Sequence, residues 1–468
     1  MNLRLKKRSC QTSVFPMVRL RRFWVVAKKP ILSLTLCALL IFGLSDVSLA
    51  KEDAEALSLY ATAAVLMDGE TGRVLYGKQE DLPLPNASTT KVMTCILILE
   101  GCDLEEELAV SGYAESMPKV KLGIRKGEAY RVRDLLYSLM LESHNDVAVS
   151  LAEHLGKKED PALMTREERE FTKEESLLAV KFFARRMNEK AREIGCEDTF
   201  FLTPNGLDGT ESIKETDGTV RTMEHHTTAS DLARILAYCI QSSSKREEFL
   251  MITRAASHSF TANGRSFALY NHNAFLNMMD GALTGKTGFT GKAGYCYVGA
   301  VLREEKLLIV ALLACGWPNN RSYKWKDAKN LIEFGLERFQ REDLQDLERF
   351  VPKDSLPMVR VIGGKGSHIG EEVTIQPEIA GRSEESGQGE GRPKGVLLGS
   401  GEKVIPRMEL PEECSAPVKR GQKLGEIAYY VNGEVLMREE LVADRDVEKI
   451  DFRWCMWQSC KALLMTWA

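Results

Sequence analysis

Apolar positions along the chain fall into blocks of two periods. Leu59 to Asp68 and Arg73 to Tyr76 are apolar, β-prone runs around Asp68-Gly69-Glu70-Thr71-Gly72, which predicts a hairpin. Ser88 to Glu100 then reads as a helix whose apolar side carries Val92, Cys95, Ile96, Ile98 and Leu99. Val132 to Glu142 is helix-like, and Asn145-Asp146 opens a further helix through Ala148, Leu151, Ala152 and Leu155, ended by Gly156. Ser176 to Gly195 and Thr228 to Gln241 follow the helical period, the second capped around Thr228 or Ser230. The stretch between, Lys157 to Glu175, is highly charged and broken by Pro161, and reads as a surface insertion. Tyr295 to Leu302 and Leu307 to Cys315 predict neighbouring strands of one antiparallel sheet, closed off by an amphipathic helix over Lys324 to Gln340. Helices before and after a sheet imply an α/β arrangement in layers.

Beyond this region the texture changes to short β runs and glycine turns. Glu426 to Val431 and Val435 to Met437 flank Asn432-Gly433, the strongest short hairpin signal. Residues 346–445 therefore read as a small β-rich domain with a Gly/Ser/Glu-rich loop at Gly381 to Gly401. The last residues, 446–468, carry Phe452, Met456, Cys460, Leu463 and Trp467 at helical spacing, with Trp454 and Trp457 beside them. Lys461 and Gln458 interrupt the apolar face, so the tail reads as an interfacial amphipathic helix, with a helix packed on its own domain as the alternative.

Charge changes the picture at the other end. Residues 1–50 hold nine Lys/Arg and one acid, then the apolar run Ile31 to Leu44 and Ser48-Leu49-Ala50. This is the order of a secretory signal peptide, and the run is short for a membrane span. The domains expected are thus a signal over 1–50, a main domain over 51–345, the β-rich domain and the tail. Removing the signal turns a formal charge of -4 into about -12, which disfavours nucleic acid as a partner. Hydrophobic residues at 44% and charged residues at 28% exclude a disordered chain. The cysteines are scattered, odd in number after the signal, and lack Cys-x-x-Cys, so they read as buried thiols and not as a disulfide or zinc framework. No metal or cofactor is expected, the pair His225-His226 included.

The chemistry gathers at three short motifs. Ser88 and Lys91 stand three residues apart at a helix start, on one face, where an amine can take a hydroxyl's proton. Ser-x-x-Lys alone is weak, since Ser116/Lys119 and Ser242/Lys245 repeat it. Ser143-His144-Asn145 and Lys286-Thr287-Gly288 follow in order, and the trio is a known signature of penicillin-binding proteins and β-lactamases.

At these residues the chain resembles the low-molecular-mass penicillin-binding proteins, serine-type D-Ala-D-Ala carboxypeptidases. Ala87 to Thr94, Asn205-Gly206-Leu207-Asp208, His226-Thr227-Thr228-Ala229 and Lys286 to Thr290 add to the likeness, which spans Leu59 to Phe339. It implies the penicillin-binding/serine β-lactamase-like transpeptidase fold, an antiparallel sheet with helices, followed by a small all-β domain. It also implies an exported enzyme at the extracytoplasmic face of the membrane. The enzyme would act on peptidoglycan stem peptides ending in D-Ala-D-Ala, and β-lactams would inhibit it covalently. The implied roles are Ser88 as nucleophile, Lys91 as base and Ser143 as proton relay. Asn145, Lys286, Thr287, Gly288 and Phe289 would bind substrate, with the backbone N–H groups of Ser88 and Phe289 as oxyanion hole. His144 stands where the family often has a small residue. Three alternatives remain open: a β-lactamase, disfavoured because no Glu-x-x-x-Asn lies between Asn145 and Lys286; a D,D-endopeptidase; and a non-catalytic wall-binding module.

Overall fold

A computed structural model describes residues 57–214, 219–380 and 392–465. The signal-like segment 1–50, most of the Gly381–Gly401 loop and Trp467 lie outside the described residues. In chain order the elements that frame the site are β1 (Ala63–Asp68), β2 (Val74–Lys78), α1 (Lys91–Gly101), α2 (Asn145–Gly156), α3 (Lys173–Ile194), α4 (Ala229–Ala237), β3 (Ala282–Thr290), β4 (Gly294–Arg303), β5 (Lys306–Leu313) and α5 (Tyr323–Arg338).

The five strands form one antiparallel sheet in the order β2-β1-β5-β4-β3. Its registers pair Ala63 with Leu313, Tyr297 with Leu312 and Cys296 with Gly288. Strands β1 and β5 are buried throughout, so their runs are continuously apolar and their alternation serves two cores. Ala63, Val65 and Met67 face a core shared with α1, α2 and α4. Ala64 and Leu66 face a second core, with Ala328, Leu331 and Ile332 of α5. The layers are helices, sheet, helix, as the pattern predicted.

Helix α1 lies at the centre, and every residue from Lys91 to Leu99 is buried. A helix surrounded on all sides can be apolar all round, which is why its pattern carries no clean stripe. Each large side chain buried there stabilises the fold by roughly 1.5–3 kcal/mol. The charged stretch Lys157–Glu175 is not simply a surface insertion. Leu163 and Phe171 are buried against Ala179 of α3, and Glu168 is buried too. Its charges decorate a small apolar cluster. Helix α3 starts earlier than its apolar spacing implied, because Thr172 and Glu175 form a reciprocal capping box.

Between α5 and the final helix the described residues form short strands, with 3-10 turns at Leu347–Arg349 and Lys353–Ser355. Strand β6 (Gln340–Asp343) pairs with β7 (Gly395–Leu398). A four-stranded sheet follows the order Pro377–Ile379, Glu434–Ala443, Lys423–Val431, Ile405–Glu409. This part grips the β1–β2 turn: the Leu397 N–H donates to Asp68 Oδ2 at 3.0 Å, and Arg73 donates to the Leu397 carbonyl at 2.7 Å and pairs with Glu402. The predicted tail is helix α6 (Phe452–Met465), with Phe452, Met456, Trp457, Leu463 and Leu464 all exposed. Among the described residues no helix is long and apolar enough to cross a membrane.

Candidate active site

The site lies where the start of α1, the start of α2 and edge strand β3 converge. Ser88 sits not in the first α-turn but in a 3-10 turn, Ala87–Thr90, that leads into Lys91. Ala87 has a positive φ of 48°, which a local periodicity cannot reveal. Asn86 holds the turn, donating from Nδ2 to the Thr90 hydroxyl at 2.9 Å and accepting from the Thr89 hydroxyl at 2.7 Å. The loop beneath it needs glycine: Gly206 has φ +80°, and a Cβ there would lie 1.8 Å from the Ala87 carbonyl oxygen. That approach delivers the Asn205 carbonyl to the reactive pair.

Lys91 Nζ is fully buried and lies 2.9 Å from Ser88 Oγ, 3.0 Å from Asn145 Oδ1 and 2.7 Å from the Asn205 carbonyl. Burial pushes this ammonium far below its ordinary range; the charge of Lys286 adds to the drop and Asp146 opposes it. A neutral amine has two N–H groups and one lone pair. The Asn145 and Asn205 oxygens can only accept, so they take the two N–H groups. The lone pair is left for the Ser88 O–H, which donates to it. The geometry is that of a general base on a nucleophile.

Ser143 caps a π-turn, Ser138–Glu142, in left-handed backbone (φ 69°), so that its side chain turns toward β3. Lys286 Nζ donates to Ser143 Oγ at 3.0 Å and to the Thr287 carbonyl at 2.9 Å; burial brings its pKa down to about 7. His144 is buried, its Nδ1 2.7 Å from Ser138 Oγ. Asp146 accepts from the N–H groups of Leu122 (3.0 Å) and Gly123 (2.8 Å), and Asn145 donates its N–H to the Val120 carbonyl at 2.8 Å. The start of α2 thereby carries one wall of the cleft.

Strand β3 closes the other wall. A Cβ at Gly288 would lie 2.9 Å from the Asn86 carbonyl oxygen and 3.0 Å from the Ser88 and Thr89 nitrogens. Only glycine lets the strand run this near the Ser88 turn. Strand alternation sends the side chains of Thr287 and Phe289 to the face opposite Lys286, and the exposed Phe289 ring lies 4.6 Å from Tyr295. Ser88, Lys91, Ser143, Asn145, Lys286 and Gly288 therefore share one cleft; Thr287 and Phe289 meet it through their backbone and the open edge of the strand.

Three contributors were given no role at the site from the sequence. The Asn205 carbonyl is backbone and has no side-chain signature beyond the glycine that follows it. Asp146 acts on a loop more than 20 residues earlier. His225, set aside in the sequence as a metal ligand, is buried: its Nε2 lies 2.9 Å from Thr90 Oγ1, and the Leu202 N–H donates to its Nδ1 at 3.0 Å. It is a neutral brace under the Ser88 turn, its pKa brought down to about 3 by burial and the neighbouring His226.

Comparison with known proteins shows the family. The profile described as D-alanyl-D-alanine carboxypeptidase matches residues 50–164 and 179–315, and that of the penicillin-binding protein 5 C-terminal domain matches residues 397–449. The chain is 26% identical over 436 residues to the D-alanyl-D-alanine carboxypeptidase DacF of Bacillus subtilis (strain 168), covering 91% of this chain and 96% of that protein. It is 28% identical over 263 residues to the D-alanyl-D-alanine endopeptidase of Escherichia coli (strain K12), covering 54% of this chain and 71% of the other. The solved penicillin-binding protein 5 of Haemophilus influenzae shares the fold, with TM-score 0.60 at 22% identity over 84% of this chain and 99% of that one. With a family match over more than half its length, the chain belongs to the D-alanyl-D-alanine carboxypeptidase family of serine peptidases.

Proposed function

We propose that this protein removes the terminal D-alanine from peptidoglycan stem peptides ending in D-Ala-D-Ala, through an acyl-enzyme on Ser88. The observation that carries this is the buried Lys91 amine 2.9 Å from Ser88 Oγ, with two fixed acceptors on its N–H groups. Lys91 takes the hydroxyl proton as Oγ attacks the carbonyl between the two D-alanines. The backbone N–H groups of Ser88 and Phe289 receive the developing oxyanion. Ser143, steadied by Lys286, passes a proton to the leaving D-alanine nitrogen. Asn145 holds the substrate amide, and Lys286 with Thr287 receives the terminal carboxylate. Water then attacks the ester, with Lys91 again as base. β-Lactams, which present a strained amide and a carboxylate, enter the same cleft and acylate Ser88.

The chain order we infer is an export signal over 1–50, a catalytic domain over 51–345, the β-rich domain over 346–445 and a membrane-associating tail over 446–468. The exposed apolar residues of α6 support attachment to the extracytoplasmic face of the cell membrane. Incubation with a D-Ala-D-Ala pentapeptide, scored for free D-alanine, tests the activity. Cleavage only of cross-linked dimers would instead favour an endopeptidase, and rapid turnover of penicillin a β-lactamase. Absence of both labelling and cleavage would favour the binding module.

A further inference from the structure

Helices α1 and α2 both begin at the catalytic cleft and end at a second cluster of polar side chains. At 1.5 Å per residue, the α1 end lies roughly 20 Å from Ser88. Cys102 caps the end of α1, Glu106 follows in the next loop, and His154 projects from the last turn of α2. The Cys102 sulfur, a Glu106 carboxylate oxygen and a His154 ring nitrogen all lie within 4.8 Å of one another. Their spacing in sequence, 48 residues between Glu106 and His154, hides them from any ligand pattern.

A fourth side chain, Glu168, stands behind the cluster and orients its histidine. His154 is buried, and its Nδ1 lies 2.7 Å from Glu168 Oε1. Glu168 also meets Lys157 Nζ at 2.7 Å. The Glu168 carboxylate, which can only accept, is thus held between the His154 Nδ1–H and the Lys157 ammonium. The other nitrogen, Nε2, is buried and makes no hydrogen bond of good geometry, with Glu106 Oε1 2.8 Å away and the Cys102 sulfur beside them. Lys158 is the nearby cation, with Nζ 3.7 Å from Glu106 Oε2 and 3.9 Å from Cys102 Sγ; a third of its side chain is exposed, so it can swing outward.

We propose that Cys102, Glu106 and His154 form a binding site for a thiophilic divalent cation of the zinc class. A thiolate, an imidazole Nε2 and a carboxylate are a sufficient set for tetrahedral zinc, with water or a second carboxylate oxygen as fourth ligand. Glu168 on Nδ1 is the outer partner that fixes a ligating histidine's tautomer. Binding releases the Cys102 thiol proton and ties the far ends of the two helices that carry Lys91 and Asn145. The site is structural and lies outside the cleft.

The test is titration of the purified protein, stripped with chelator, with Zn2+ and with Co2+. The expected result is one equivalent bound, a thiolate-to-cobalt charge-transfer band, and a raised Tm with Zn2+. Cys102→Ser abolishes the band, Glu106→Gln weakens binding, and Glu168→Gln weakens it roughly 10–100-fold. Cys102→Ser and Glu106→Gln keep the D-alanine release of the metal-free protein, which shows that they fold. A wild-type protein that binds no stoichiometric Zn2+ overturns the proposal, and an imidazolium bridging the two carboxylates is then the reading. Full affinity in Cys102→Ser overturns it equally.

Discussion

Gly288→Ala tests how closely strand β3 must approach the nucleophile turn. The added Cβ would lie 2.9 Å from the Asn86 carbonyl oxygen and 3.0 Å from the Ser88 and Thr89 nitrogens, where ordinary contact begins near 3.4 Å. The shortfall is about half an ångström, and all three neighbours are backbone atoms. Neither side yields easily: the strand is held by its ladder to β4, and the turn by the Asn86 bonds and by Gly206 packed on Ala87. Relief therefore widens the gap between Ser88 and Lys286. A misplacement of about 1 Å costs on the order of 100-fold in rate, so half of that predicts roughly a tenfold loss in acylation. Overpacking adds a stability cost of about 1–3 kcal/mol. The assay is the rate of acylation by fluorescent penicillin beside D-alanine release, with Tm measured on the same samples. Gly291→Ala, on the following turn with nothing within 4 Å of its Cβ, is the matched control and should behave as wild type. Acylation by Gly288→Ala at the wild-type rate and unchanged Tm would refute the reasoning.

Lys286→Gln removes a charge that lowers the Lys91 pKa, so the acid limb of the acylation rate profile should move to higher pH; an unmoved limb on a slower enzyme would show that the two amines are not coupled. His225 titrates at about 3 in the fold against about 6.5 when unfolded, so the unfolded chain binds the extra proton between those values and stability falls as pH drops below about 6.5. The slope is about 1.4 kcal/mol per pH unit at most, and urea midpoints at pH 7 and pH 5 should show it diminished in His225→Gln; an equal slope in both proteins contradicts the brace. Truncation before Phe452 removes the exposed Phe452, Met456, Trp457, Leu463 and Leu464 and should shift the protein from the vesicle-bound to the soluble fraction in a flotation assay with anionic lipid, while retention on vesicles would count against the tail.

Much of the architecture was legible because its signals are local. The continuous apolar runs of β1 and β5 announced strands, which the fold buries on both faces, and Thr228 does cap its helix, accepting from the Asp231 N–H at 3.0 Å. Strand β3 was less visible, since Gly285 and Gly288 dilute its β character for the sake of close packing. The hairpin Ser257–Ala262/Arg265–Tyr270 was missed for a related reason: it is half-exposed and its polar face masks the alternation. At the site, Ser88, Lys91, Ser143 and Lys286 could be picked out as side chains with known chemistry. The Asn205 carbonyl and the positive φ of Ala87 could not, because backbone groups leave no letter in the sequence. His225 lies 135 residues from its partner Thr90, and Glu106 lies 48 from His154, so only the fold brings them together.

The central claim is that Ser88 is the atom acylated, with Lys91 as its base. Intact-protein mass spectrometry after brief exposure to benzylpenicillin, followed by peptide mapping, addresses it directly. The account predicts a single adduct on the peptide that contains Ser88, no adduct in Ser88→Ala, and a greatly slowed adduct in Lys91→Ala. An adduct on another residue, or one that survives Ser88→Ala, would contradict it.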